Sequence, residues 1–431
     1  MYAWNSRIWK SKNGCRTIYE KMDCTNNISV IIICCQVGSI HETTETDGFA
    51  HLLEHILLTS DTNHISCTQT FQQFDKMGVE FNAHTTKTNT CFMIKCLTPF
   101  IKTVIDMLAN IMFHSNIETR NAAVEQNVIY HENQTDDNDS INTAELKFKH
   151  NVYKDTPYAK PIDKKRANQP PVQSPLLQAF YKKYYVPNNI IISIISDLPY
   201  HDIQSHIEKS LFNTIISNKE FKKQKRQKII SIDSTISVMK EQHSNTCTII
   251  AGFIIPNPNP IEEYTLHYLK YYLNRIDGIL FQHIRMKQGV AYQFFSDFEH
   301  QEVGTCFSIT VETSNIYIIP LLTFIMTVFK DLKDIQIHED VMVQVKHHIK
   351  HLLQMKYSDI DSLAEYNMQQ VIQHTLIPYD HLYHICYQSI NSVHIQECAR
   401  KYFTMPNVIV SIVTNEDMAE STIEHICKTT L

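Results

Sequence analysis

Long apolar runs are missing from this chain. The longest, Val30 to Cys35 and Ile190 to Ile195 with Ser193 inside it, fall well short of the roughly 20 residues that cross a bilayer, so no membrane span is expected. The N-terminus, Met1-Tyr2-Ala3-Trp4-Asn5-Ser6-Arg7, lacks a basic start followed by an apolar stretch, so no secretory leader is expected. A disulfide framework is also missing. The twelve cysteines are scattered, and Cys34-Cys35 fall inside a strand-like run. Buried reduced thiols and a cytoplasmic location fit that pattern. There is no excess of positive charge: 39 basic against 45 acidic residues leave a net −6, which argues against a general nucleic-acid binder. One basic run lies at 217–228, with Lys219, Lys222, Lys223, Lys225, Arg226 and Lys228. With no interleaved aromatic beyond Phe221, it reads as a solvated linker rather than a nucleic-acid or membrane surface. Glycine is scarce, eight residues in 431, in keeping with the Ile, Asn and Lys of a low-GC coding sequence.

What is present begins with length. A chain of 431 residues with 43% apolar side chains is too long for one ordinary core, and two domains are expected. The most informative stretch is Gly48-Phe49-Ala50-His51-Leu52-Leu53-Glu54-His55-Ile56-Leu57-Leu58. In a helix, residues at i, i+3 and i+4 share a face. His51, Glu54 and His55 then project together, and Leu52, Leu53, Ile56 and Leu57 are left for the interior. Two imidazoles one turn apart can hold a zinc ion, and the carboxylate between them can take a proton from a zinc-bound water. The order H-x-x-E-H is the inverzincin signature, the reverse of the zincin H-E-x-x-H. With 23 histidines in the chain, pairs at i, i+4 also arise by chance, and His347 with His351 is one. A third ligand is therefore needed.

A carboxylate-rich helix is expected over 118–139, with Val124, Val128 and Ile129 as its apolar stripe and Glu125 and Glu132 seven residues apart. Two helical turns place both carboxylates on one face, where one can ligate a metal and the other can hydrogen-bond a histidine ligand. Taken alone, this helix also reads as a solvated charged surface. Taken with the motif, the chain resembles the pitrilysin family of zinc peptidases, which includes insulysin and the mitochondrial processing peptidase. That family carries H-x-x-E-H, then a glutamate ligand some seventy-odd residues later with another glutamate seven positions before it. The resemblance implies one zinc per chain held by His51, His55 and Glu132, with Glu54 as general base and Glu125 supporting the site by hydrogen bonding. His-His-Glu can also take cobalt or manganese in vitro.

The resemblance extends over roughly residues 10–425. Lys12-Asn13-Gly14 reads as a hairpin turn before a strand. Val37-Gly38-Ser39 leads toward the motif, and Val79 to Thr86 reads as a strand with its neighbour over Thr88 to Leu97. In the family, an Asn-Ala strand like Phe81-Asn82-Ala83 is the sheet edge to which substrate adds as an extra strand. From the residues alone, Asn82 is a plain polar strand residue. Helices are expected over 71–77, 101–113 and 174–185, a flexible acidic loop over 136–140 and an irregular connection over 153–171. The second half repeats the grammar of the first, with strands near 229–238, 246–254, 293–298, 304–312 and 407–413 and helices near 262–273, 318–331 and 338–356. It contains no H-x-x-E-H. Arg285 and Tyr292, seven apart around Gly289, resemble the family's pair that holds the substrate carbonyl and its oxyanion. The residues alone read there as a helix end capped by Gly289 and followed by a strand.

The expected fold is therefore α+β: two similar domains, each a mostly antiparallel sheet covered by helices on one face. The expected division is 1–216 for the zinc-binding catalytic domain, 217–228 for the basic linker and 229–431 for the second domain. The expected activity is zinc-dependent endopeptidase cleavage of unfolded peptides inside a closed chamber, in peptide turnover or in removal of a leader from a precursor. The expected assembly is a homodimer, or a heterodimer with a homologous, inactive subunit. The alternative is a non-catalytic core-type subunit of a larger complex, although relatives of that kind lose ligands or the base and none is lost here.

Overall fold

The computed structural model describes the chain except for residues 1–5, 24–25, 137–138, 163–171, 173, 217–220, 222–233 and 242–245, and the side chains of 119, 120, 134–136, 174 and 292. The expected basic linker lies outside the described residues, apart from Phe221. The described chain forms two compact units.

The first unit is built on six strands: β1 (Ser6–Lys10), β2 (Arg16–Lys21), β3 (Ile28–Cys35), β4 (Glu80–Thr85), β5 (Thr90–Leu97) and β6 (Ile190–Ser196). Their order is β1-β2-β6-β3-β5-β4. Only β2 and β6 pair in parallel; the other pairs are antiparallel. The central strands β3 and β6 are runs of isoleucine with one valine, cysteine and serine, β-branched in the main, and almost every residue in them is buried. Continuous apolar strands of this kind signal a sheet covered on both faces. On one face, Ile31, Ile33, Phe92, Ile94, Ile192 and Ile194 pack with Leu53, Ile56 and Leu57 of helix Phe49–Thr59, Val104 and Leu108 of helix Ile101–His114, and Leu177 and Phe180 of helix Ser174–Tyr184.

The opposite face is covered by helix Ile360–Gln373, which packs on β6, β3 and β2. Ser193 donates to the Ala364 carbonyl at 2.9 Å. Asn367, fully buried, donates to Glu20 Oε2 at 2.7 Å, and Ser6 donates to the same oxygen at 2.8 Å.

The second unit carries β7 (Thr235–Lys240), β8 (Cys247–Ile255), β9 (Ala291–Gln301), β10 (Gly304–Thr313) and β11 (Val408–Thr414) in the order β7-β11-β8-β10-β9. Here β7 and β11 pair in parallel and the other pairs are antiparallel. With β1 set aside, the two sheets have the same order and sense, so the repeated grammar of the halves is a repeated fold. Phe253 of β8 packs on Phe329 of helix Ile318–Asp334 and stacks on Phe403. The other face of β8 meets helix Ser140–Val152, where the Ser140 and Thr248 hydroxyls are 2.8 Å apart.

The main helical layer of each sheet lies on one face, as expected, and each sheet takes one further helix on the other. Those two helices depart from a division into contiguous halves: Ser140–Val152 belongs with the second unit and Ile360–Gln373 with the first. Amphipathic helices carry no mark of which sheet they will cover. Of the expected acidic loop over 136–140, residues 137–138 lie outside the described residues. Asp136 ends helix Thr119–Asp136, and Asp139 caps the next helix by accepting from Ile141 N at 2.8 Å. Among the described residues one stretch, Asn315–Asp334, is long and apolar enough to cross a membrane. One face of it, with Leu322, Ile325 and Phe329, is buried within the second unit as in a core helix, while Ile316 is exposed.

Burial holds the Glu20 carboxyl above its ordinary range despite the Asn367 and Ser6 hydrogen bonds. The native state therefore keeps this proton to higher pH than the unfolded chain does, and the group's contribution to stability falls as pH rises from about 4.5. Asn367→Leu removes a donor to the ionised form. It is expected to lower stability by about 1–3 kcal/mol at neutral pH, and by progressively less as pH falls toward 4.5. Urea unfolding followed by tryptophan fluorescence checks this, because Trp9 packs on the first unit's core.

Candidate active site

The H-x-x-E-H segment is helical over Phe49–Thr59. Its start is fixed by Glu42, whose two carboxylate oxygens accept from Gly48 N and Ala50 N, each at 2.8 Å. This satisfies amides that have no partner within a helix. Gly48 precedes the helix at φ 80°, a left-handed conformation that favours glycine. The approach is set by Gly38, where a Cβ would come within 2.2 Å of the Thr86 carbonyl in the β4–β5 turn. Leu52, Leu53, Ile56 and Leu57 are buried, as their spacing predicts. The helix is anchored by that face and turns its polar residues toward β4 and helix Thr119–Asp136.

The two imidazoles meet at their Nε2 atoms, 3.1 Å apart, with ring planes 81° to one another. The Glu132 Oε2 atom is 3.7 Å from His55 Nε2, and one ligand atom from each of His51, His55 and Glu132 lies within 4.8 Å of the others. Two nitrogens bound tetrahedrally at zinc distances would be about 3.3 Å apart, so the cluster has the dimensions of a zinc site. On the far side of the His55 ring, Nδ1 is 3.2 Å from Glu125 Oε2. A proton on Nδ1 shared with that carboxylate leaves the Nε2 lone pair for a metal. Glu125 is buried, and its hydrogen bond to His55 holds its carboxyl below the usual range. Glu132 is exposed. Among the described residues, His51, His55 and Glu132 are the one group with metal-site geometry.

Helix Thr119–Asp136 does not bury the stripe its sequence suggests. Val124 and Val128 are 55% and 40% exposed, while Ala122 and Glu125 are buried and Ile129 is half-buried. Its inward face is read at 122, 125 and 129, and that face is partly given over to a carboxylate, so counting apolar residues picks the wrong side.

Glu54, buried on the same helix as the histidines, accepts a hydrogen bond from Thr85 Oγ1 at 2.6 Å. Sequence reasoning did not single out Thr85. The signal was strand alternation: Phe81, Ala83 and Thr85 share the β4 face turned to the core. Asn82 is exposed, and its Oδ1 accepts from Ala83 N at 2.9 Å. Among the described residues β4 pairs only with β5 and is the sheet edge. His84 is exposed on the other face of β4.

Arg285 and Tyr292 lie in the second unit. Arg285 is exposed on a wide helical turn, Phe281–Gln288, which Gly289 ends at φ 64°. This is the expected glycine cap. Tyr292 is the second residue of β9, and its side chain lies outside the described residues.

Comparison with known proteins agrees with this geometry. Residues 17–166 match the insulinase family (peptidase family M16), and residues 172–348 match the peptidase M16 inactive domain. The chain is 27% identical over 365 residues to an uncharacterized zinc protease of Rickettsia felis, covering 84% of this chain and 86% of that protein. It is 22% identical over 213 residues to a probable mitochondrial-processing peptidase subunit beta of Arabidopsis thaliana, covering 49% of this chain and 40% of that one. The crystal structure of a protease from Helicobacter pylori superposes with a TM-score of 0.88 at 19% identity, covering 96% of this chain and all of that one (100%). The two family matches together take in most of the chain, and the chain belongs to peptidase family M16, the insulinase or pitrilysin family, as a half-length member.

Proposed function

We propose that this chain is a zinc-dependent endopeptidase acting on unfolded peptides. The observation that carries this reading is the meeting of three ligand atoms at His51, His55 and Glu132 with a buried carboxylate, Glu54, on the same helix. Zinc, when bound, supplies Lewis acidity that lowers the pKa of a water and polarises the scissile carbonyl. Glu54 takes the proton of the attacking water and later delivers it to the leaving amine nitrogen. Thr85 donates to Glu54 Oε2 and so orients the carboxylate, leaving Oε1 to handle the proton. Glu125 keeps the His55 ring in the tautomer and orientation that ligation needs.

Substrate adds to the free edge of β4, beside Asn82 and Ala83. Main-chain hydrogen bonding of that kind takes an extended chain of almost any sequence, so a folded protein is a poor substrate. The relative whose name makes it one subunit of a processing peptidase supports a second homologous chain as partner, identical or catalytically silent. The non-catalytic reading requires the same residues to be present without function.

Three variants test this reading on the purified protein. Glu125→Gln is expected to weaken zinc binding by about 10- to 100-fold in a chelator competition. Glu54→Gln is expected to hold zinc like the wild type and to cut an unfolded peptide about 10²- to 10⁴-fold more slowly. Thr85→Val is expected to lower kcat by roughly tenfold, the worth of one hydrogen bond to a charged group, with zinc content and KM unchanged. A wild type that binds zinc and cuts only after a homologous subunit is added assigns the activity to the pair. One that binds no zinc overturns the proposal.

A further inference from the structure

Outside this site, three side chains with acid–base and thiol chemistry form one row across adjacent strands. His84 of β4 is directly opposite Cys91 of β5, and Cys91 is directly opposite Cys34 of β3. By strand alternation the row lies on the sheet face away from the H-x-x-E-H helix, beneath helix Ile360–Gln373. Cys91 and Cys34 are 4% and 0% exposed, while His84 is exposed at the sheet edge. Cys91 therefore has Cys34 as its cross-strand neighbour on one side and His84 on the other.

These partners divide the row electrostatically. The neighbouring Cys34 thiol and His84 ring hold the Cys91 thiol below its ordinary range, against the effect of burial. Cys34, buried beside Cys91, is pushed well up, and the nearness of Cys91 raises His84. The other charges facing the row do not cancel this. Glu365 on the covering helix opposes the Cys91 thiolate and favours the His84 imidazolium; Glu54 adds to His84, and Arg16 lies near Cys34. Every other described cysteine is shifted the opposite way by burial, Cys15 and Cys398 up to about 12.

We propose that Cys91 is an oxidation site for small hydroperoxides, with His84 as its proton donor and Cys34 as the thiol that resolves it into a Cys34–Cys91 disulfide. The Cys91 thiolate attacks one oxygen of hydrogen peroxide. The S–O bond forms as the O–O bond breaks, and the departing hydroxide takes the proton of the His84 imidazolium and leaves as water. Cys34 sulfur then attacks the Cys91 sulfenic sulfur. The S–S bond forms, the S–O bond breaks, and the hydroxide leaves as a second water with the Cys34 thiol proton. Two thiols and one peroxide give one disulfide and two waters. Residues directly opposed on antiparallel strands have Cβ atoms about 4.5–5.5 Å apart, against about 3.5–4.5 Å in a disulfide, so closure needs only a small approach of β3 and β5.

The test reads thiols and is independent of peptidase activity. The intact protein is exposed to hydrogen peroxide at pH 7, then denatured in N-ethylmaleimide, and its peptides are mapped by mass. The Cys34 and Cys91 peptides are expected to become linked with loss of two hydrogens, at least about tenfold faster than the buried Cys398 or Cys247 of the same molecules is modified. Cys34→Ser is expected to stop at a dimedone-trapped sulfenic acid on Cys91, and His84→Gln to slow the first step. Because the comparison is internal to the wild type, it stands even where a variant fails to fold. Oxidation of Cys91 no faster than Cys398, or linkage to a different cysteine, overturns the proposal.

Discussion

The site depends on one imidazole held from both sides. His55 faces Glu125 through Nδ1 and Glu132 through Nε2, two carboxylates two turns apart on one helix. An ionised carboxylate as buried as Glu125 is unfavourable without a partner. The His55 ring is that partner, so satisfying Glu125 fixes the ring, and fixing the ring sets where its other nitrogen points. The surrounding structure brings the two helices together in that register. Glu42 begins one helix, Gly38 lets its approach lie against the β4–β5 turn, and Leu53, Ile56 and Leu57 seat it on the sheet.

Much of this was legible in the sequence because helical spacing is local. His51, Glu54 and His55 are tied by i, i+3, i+4 geometry, and Glu125 and Glu132 by a seven-residue interval, so each set keeps a common face wherever the helix lies. The pairing of the two helices came from family resemblance rather than spacing. What stayed hidden was non-local or ambiguous by residue type. Thr85 is an unremarked threonine until Glu54 lies across from it. Val124 and Val128 look like a buried stripe, yet the inward face includes a carboxylate. The isoleucine runs of β3 and β6 announce burial on both faces, but nothing in them names helix Ile360–Gln373 as the second cover.

Strand β4 shows how closely different chemistries can be placed. Among the described residues its backbone is a sheet edge, its odd-numbered residues lie on the core face where Thr85 meets Glu54, and its even-numbered residues lie on the other face, where His84 is opposite Cys91. The pleat separates them: His84 and Thr85 are neighbours in sequence and lie on opposite sides of the sheet. A slip of one residue in the β4–β5 register would exchange the two faces, so the tight 86–89 turn, closed by Thr86 N to the Asn89 carbonyl at 2.7 Å, sets the chemistry as well as the shape.

The placement of helix Ile360–Gln373 on the first sheet has a consequence during synthesis. All six strands of that sheet have been made once β6 ends at Ser196, yet the apolar face holding Ile191, Ser193 and Ile195 has no cover until the chain has grown by more than 150 further residues. At ordinary elongation rates that is a wait of roughly 10–30 s, long compared with the collapse of the sheet itself. A nascent first unit therefore passes through a stage with one finished face and one bare one. In the cell, that is the interval in which a chaperone would find it.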